Sequence, residues 1–322
     1  MKNIIERMPS DTALAICRHA WDLTNLVFVR KMENIVFSCQ RDGQTVFLRL
    51  TTPFRRSKSQ IEAELHFITH LMAAGLRVPK IIPNTDGQQL ITIKDDDQLY
   101  EAVVFALVEG EHPAIDFMAT PSFLNSLGAL MAKMHQISHK YEALSRREHW
   151  YEERGIRHAL DAAKVSKHTQ MREKLDEVMN WIHRLEKTPE TYGLVHADLS
   201  PSNIFVTSDG SIGIIDFDDS CYHFYAFDLA IVIYSMANRF AAPVSSDLEK
   251  EWISLLIKGY QTIQPLTQGQ IEQIPHFIDF ACLRVYFWIE YHQNLNTFRG
   301  EAIERILTLK KWVLNRMMKL NE

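Results

Sequence analysis

The sequence predicts an α+β fold in two lobes: an N-terminal lobe built on an antiparallel sheet, then a larger, mainly helical C-terminal lobe. Three observations point there. Strand-length apolar runs cluster before residue 109, and beyond Pro113 the apolar residues recur at helical spacing. One stretch, 195–217, breaks the helical pattern with two β-branched runs around Asp209-Gly210, a strong hairpin signal. The boundary falls where Val108-Glu109-Gly110-Glu111 changes the composition, giving lobes of 1–108 and 109–322.

The elements follow in order. Residues 8–20 read as a short helix capped by Ser10 or Asp11. Leu26–Arg30, Asn34–Gln40 and Thr45–Leu50 read as strands of a meander, the last two joined by Arg41-Asp42-Gly43-Gln44. A helix over 59–74 presents Ile61, Leu65, Ile68 and Met72 as one stripe. Ser59 and Glu62 have the spacing of a capping box, and Gly75 stops it. Pro79 and Pro83 bracket a connection to strands Gln88–Ile93 and Tyr100–Val108. Pro121 opens a helix with Phe123, Leu124, Leu127, Met131 and Met134 on one side. Residues 141–188 read as charged and helical, and further helices are expected over 226–239, 247–261, 268–296 and 300–320.

Composition narrows the function classes. The 322 residues are 46% hydrophobic and 23% charged, as in an ordinary soluble globular protein. A formal charge of −5 argues against a nucleic-acid-coating surface. Cys17, Cys39, Cys221 and Cys282 lie far apart without metal spacing, which suits buried thiols in a reducing compartment. No apolar run is long enough to span a membrane, so a cytoplasmic protein is expected. The 14 histidines form no HExxH or clustered set, which disfavours a metallohydrolase.

The chemistry concentrates on the hairpin. Folding the chain at Asp209-Gly210 is expected to bring Asn203 and Asp216 to one end of the ribbon, with Asp198 on the loop feeding it. An amide and two carboxylates there can hold a divalent cation through oxygen and aim a substrate hydroxyl, as phosphoryl transfer requires.

His196-Ala197-Asp198 with Asn203, Ile215-Asp216-Phe217-Asp218-Asp219, Phe227-Asp228-Leu229-Ala230 and Leu127-Gly128 through Met134-His135 together resemble the aminoglycoside phosphotransferase and choline kinase group. That group is a branch of the protein-kinase-like fold, and it includes type II homoserine kinases and stress-response kinases. The resemblance implies ATP (GTP is not distinguished) and Mg²⁺ as cofactors. It makes Asp198 the base, Asn203 and Asp216 the metal ligands, and His196 and Asp228 supports of the catalytic loop. It also implies that Arg49 grips phosphate where protein kinases use Lys, with Glu64 as its helix partner. Backbone groups of Ala106 and Val108 would meet the adenine edge. The phosphate-covering turn should fall at Lys31-Met32-Glu33, which carries no glycine.

Only eleven residues separate Asp216 from Asp228, too few for the activation segment of a protein kinase. The expected acceptor is a small hydroxyl compound, aminoglycoside, choline or homoserine-like. Asp279, Arg284, Trp288 and Glu290 on the 268–296 helix are candidate acceptor contacts. Aromatics at helical spacing are more often core, and Arg284 would favour a carboxylate-bearing acceptor. A protein Ser/Thr kinase and an inactive nucleotide-binding scaffold stand as alternatives.

Overall fold

In the computed structural model the described residues are 7–142, 147–240, 244–294 and 302–318. The expected helix ends at 295–296, 300–301 and 319–320 lie outside them. The chain divides into two units, the first comprising 1–110, 141–147 and 213–218 and the second 111–140, 148–212 and 219–322.

The first unit is a sheet with two helices. Helix α1 (Asp11–Trp21) is capped by Ser10, whose side chain accepts from the Ala13 N–H. Strands β1 (Thr24–Lys31), β2 (Ile35–Arg41) and β3 (Gln44–Thr51) form the expected meander, with Asp42 and Gly43 both at positive φ in its second turn. Helix α2 (Lys58–Ala73) follows, then β4 (Ile81–Ile82), β5 (Ile91–Asp95) and β6 (Gln98–Ala106). The sheet runs β1-β2-β3-β6-β4, with β5 also paired to β6, and every pairing is antiparallel. Alternation puts Ile35, Phe37 and Cys39 of β2 and Val46, Leu48 and Leu50 of β3 into one core with Cys17 and Trp21 of α1.

Two details differ from the sequence reading. The capping box of α2 is Ser57 with Gln60, two residues earlier than Ser59 with Glu62. Both pairs have the required spacing, and the earlier one wins because the helix already begins at Lys58. The Pro79–Pro83 connection contains β4, whose Ile81 and Ile82 pair with Phe105 and Val104.

The second unit is mainly helical. It contains α3 (Ile115–Met118), α4 (Pro121–His139), α5 (Arg154–Val165), α6 (Thr169–Arg184), α7 (Tyr225–Ala237), α8 (Ser246–Tyr260), α9 (Gln268–Asn294) and α10 (Ala302–Met318). Residues 147–153 are not helical, a departure from the reading of 141–188. Every residue of α7 is buried, the signature of a helix that is apolar all round and sits at the centre of a core. Helices α4 and α8 touch backbone to backbone. A Cβ on Gly128 would lie 2.0 Å from the Leu256 carbonyl oxygen, and one on Gly259 would lie 1.9 Å from that of Asn125.

The 195–217 stretch resolves into more pieces than one hairpin. Strand β7 (Tyr192–Val195) pairs with β10 (Cys221–Phe224), whereas β8 (Ile204–Val206) and β9 (Ile212–Ile214) form the two-stranded ribbon around Asp209-Gly210. Gly210 takes the positive φ that the turn needs. All four cysteines are buried; burial pushes the Cys17 thiol up to about 12 and the Cys39 thiol to about 11. Among the described residues no helix is long and apolar enough to cross a membrane.

Candidate active site

The loop between β7 and β8 carries His196, Asp198 and Asn203, all in the second unit. Its shape is imposed by Asp228, fully buried in the first turn of α7. The Asp228 carboxylate accepts from the backbone N–H of His196 (3.2 Å) and of Ala197 (2.8 Å), fixing Ala197 at φ 66°. A non-glycine residue holds that conformation only where its surroundings enforce it. Burial pushes the Asp228 pKa up, but the His135 hydrogen bond, the His135 and His196 charges and the Ala197 N–H more than offset it and leave it below the usual carboxylate value.

His135 was not assigned this role from sequence. An ionised carboxylate only accepts, so His135 Nε2 donates to Asp228 Oδ2 at 3.1 Å, while Nδ1 faces the Tyr260 hydroxyl at 3.0 Å. Here the close α4–α8 approach becomes functional. Gly128 and Gly259 let the two backbones meet, which sets His135 of α4 beside Tyr260 of α8. The Gly128-to-His135 spacing was the signal available in the sequence.

Asp198 is half-buried and is gripped by Asn203, whose Nδ2 donates to both the Asp198 carbonyl and its Oδ2 at 2.8 Å. Both acceptors are oxygen, so the amide nitrogen must face them, and the amide carbonyl oxygen stays available for another partner. The Asp198 N–H faces His196 Nδ1 at 3.3 Å. Arg239 is another residue that sequence reasoning missed. It donates to Ser202 Oγ at 3.2 Å; burial and the Arg305 charge lower its pKa, against the pull of the Asp198 charge.

The acceptor candidates on α9 are placed among different neighbours. Arg284 is half-buried, its guanidinium 5.9 Å from the centre of the Phe227 ring. Glu290 is paired with Lys310 at 3.2 Å, and the Trp288 ring lies 4.4 Å from that of His292. Burial pushes the Asp279 carboxyl up, against the charges of Arg316 and His276; Arg316 itself makes a two-pronged bridge to Glu249 at 2.6 and 2.9 Å.

The first unit holds the other expected groups. Arg49 of β3 and Glu64 of α2 form a parallel, two-pronged pair at 2.7 and 2.8 Å with both side chains buried. Burial opposes the charge of Arg49, but Glu64, then Asp218 and Asp216, raise its pKa well above the ordinary value. Its guanidinium lies 5.1 Å from the Phe105 ring centre, and among the described residues its buried Nε has no hydrogen-bond partner. An orphaned guanidinium N–H is a group that a phosphate oxygen would satisfy.

Asp216 follows β9 by two residues, at φ 66°, and its Oδ2 accepts from Arg30 Nη2 at 2.9 Å. Asp218 is buried under arginines. Oδ2 accepts from Arg55 Nε (3.2 Å) and Nη2 (2.9 Å), and Oδ1 from Arg56 Nε (3.4 Å). Arg147 donates to the Phe217 carbonyl at 3.2 Å and also to that of Asp218. Burial disfavours the Asp218 charge, but Arg55, Arg56, Arg49 and Arg147 outweigh it and drive its pKa far below the usual range. Asp218 is therefore an anchor for guanidinium groups. At the end of β6, the Ala106 N–H is committed to the Lys80 carbonyl at 2.8 Å, and a Cβ on Gly213 would strike Val108 Cγ1 at 2.6 Å.

Comparison with known proteins fixes the family. The chain is 26% identical to amicoumacin kinase of Bacillus subtilis over 314 residues, covering 94% of this chain and 91% of that one. It is 23% identical to homoserine kinase of Rhizobium johnstonii over 268 residues, covering 80% and 78%. Its fold superposes with a TM-score of 0.84 on an amicoumacin kinase solved in complex with AMP-PNP, Ca²⁺ and Ami, at 24% identity and over 96% of this chain and 93% of that one. Residues 26–266 match the phosphotransferase enzyme family, and the chain belongs to it.

Proposed function

We propose that this phosphotransferase moves the γ-phosphate of ATP to a hydroxyl of a small molecule, with Asp198 as the base and Mg²⁺ as the cation. The observation that carries the proposal is the grip of Asn203 on Asp198. One amide orients the carboxylate toward the acceptor proton and keeps its own carbonyl oxygen for a metal. The resemblance makes Asp216 the second hard oxygen ligand, and an amide and a carboxylate suit Mg²⁺. Bound there, Mg²⁺ would neutralise charge on the phosphate oxygens. Arg49, oriented by Glu64, offers its unpartnered Nε to phosphate. At the end of β6, with the Ala106 N–H already engaged, adenine would meet the Ala106 carbonyl and the Val108 backbone.

The acceptor side supports a choice among small molecules. The Asp198 charge acts on Arg239, which is itself repelled by Arg305, and on Tyr234, whose pKa burial pushes up and Arg284 draws down. Arg239, donating to Ser202 Oγ, places a guanidinium on the loop that carries Asp198. A hydroxyl compound bearing carboxylate or carbonyl groups is favoured. The relatives named for amicoumacin and homoserine set the first compounds to try. A phosphotransfer screen from ATP over amicoumacin, homoserine, ethanolamine, choline, aminoglycosides and a Ser/Thr protein tests the reading. Asp198→Asn should lower turnover at least ~10²-fold with nucleotide binding nearly unchanged. Equal turnover in mutant and wild type would refute Asp198 as the base.

A further inference from the structure

The turn that should cover the phosphates lacks glycine, and its side chains show what replaces glycine's freedom. Arg30 and Asn34, on either side of the β1–β2 turn, reach the segment that follows β9, and Glu33 reaches it through Arg55. Arg30 binds Asp216, Glu33 binds Arg55, and Arg55 in turn binds Asp218. Asn34 Nδ2 faces Asp218 Oδ2 at 3.4 Å, while its Oδ1 accepts from Thr51 at 2.7 Å.

These contacts fall into two kinds by burial. The Arg55 and Asp218 side chains are 7% and 5% exposed, so that link is a fixed anchor. The Arg30 and Asp216 side chains are 48% and 24% exposed, so their bridge is a weak and reversible one. The anchor holds the turn in place. The Arg30 side chain is the part that can move.

We propose that Arg30 is a positioning residue that occupies the Asp216 carboxylate in the empty enzyme and transfers to the nucleotide phosphates when a divalent cation takes Asp216. The inference rests on the reading of Asp216 as a metal ligand. A guanidinium and a metal ion cannot both use Oδ2, so loading the site frees a cation beside an arriving polyphosphate. The swing of one long side chain then does what backbone flexibility does in a glycine-rich turn. No covalent step is involved.

The test is Mn²⁺ binding to the nucleotide-free enzyme, followed by electron paramagnetic resonance, together with calorimetric binding of AMP-PNP in the presence of Mg²⁺. Arg30→Met should tighten Mn²⁺ binding about two- to five-fold, the scale of one half-exposed ion pair. It should weaken AMP-PNP binding about ten-fold or more, the scale of a lost charged hydrogen bond. Arg30→Lys should restore part of the nucleotide affinity. Asp216→Asn separates the two layers of the argument. If it abolishes Mn²⁺ binding while Arg30→Met leaves that binding unchanged or weaker, the latch is wrong and the metal reading stands. If Asp216→Asn leaves Mn²⁺ binding intact, the metal reading falls and the latch falls with it.

Discussion

Breaking the Arg49–Glu64 pair should destabilise the protein in a way that separates folding from chemistry. The two side chains are 8% and 1% exposed and share hydrogen bonds of 2.7 and 2.8 Å. Removing one member of such a pair strands a buried charge, at a cost of roughly 3–5 kcal/mol. The two ends of the pair are not equivalent. Arg49 also feels Asp218 and Asp216, so Glu64→Gln leaves it partly compensated and should cost about 3 kcal/mol, near the lower end of that range. Arg49→Met leaves Glu64, buried in α2, without its cation and should cost about 5 kcal/mol. The double replacement Arg49→Met with Glu64→Leu removes both charges and should fall within about 2 kcal/mol of wild type, because an apolar pair of similar volume tends to be neutral. Urea unfolding gives the stabilities, and ATP-dependent turnover gives the chemistry. The double mutant is expected to be folded and inactive. Equal instability of the double mutant and Arg49→Met would refute the ion-pair account, since it would mean that shape alone was lost.

Two further outcomes follow from the packing. Gly128→Ala should cost about 3 kcal/mol, the upper range for overpacking, because the new Cβ meets the Leu256 backbone, and turnover should fall as α4 and His135 shift. Thermal unfolding and steady-state kinetics check it. Asp218→Gly should destabilise this protein by about 3 kcal/mol, because Arg55 and Arg56 lose a buried carboxylate while Arg55 keeps Glu33. A neutral effect in a urea titration would disprove the anchor.

The sequence was informative wherever the signal was local. The Asp209-Gly210 turn, the Ser10 cap, the Pro121 helix start and the meander all lie where short-range chemistry put them. The hairpin was legible because turn residues and β-branched runs sit side by side. Local rules also met their limits. Ser57 and Ser59 each begin a capping-box pattern, and nothing within a few residues chooses between them. A two-residue strand such as Ile81–Ile82 is too short to have a period. The pairing of β7 with β10 joins segments more than twenty residues apart, and the one turn signal between them belongs to the β8–β9 ribbon instead.

The same division runs through the candidate site. Asp198 and Asn203 were legible because the loop carries both, five positions apart. His135, Arg30, Arg55 and Arg147 reach their partners across 93, 186, 163 and 70 positions, distances at which sequence alone offers no geometric constraint. The glycine-free turn and the aspartate after Phe217 lie far apart in the sequence, with nothing local to connect them. The structure joins them. Asp218 could be buried only with cations around it, and Arg55, brought in to neutralise it, is the same residue that holds Glu33 in the turn. Arg55 ties the two features together, pairing with Glu33 of the turn on one side and with Asp218 on the other.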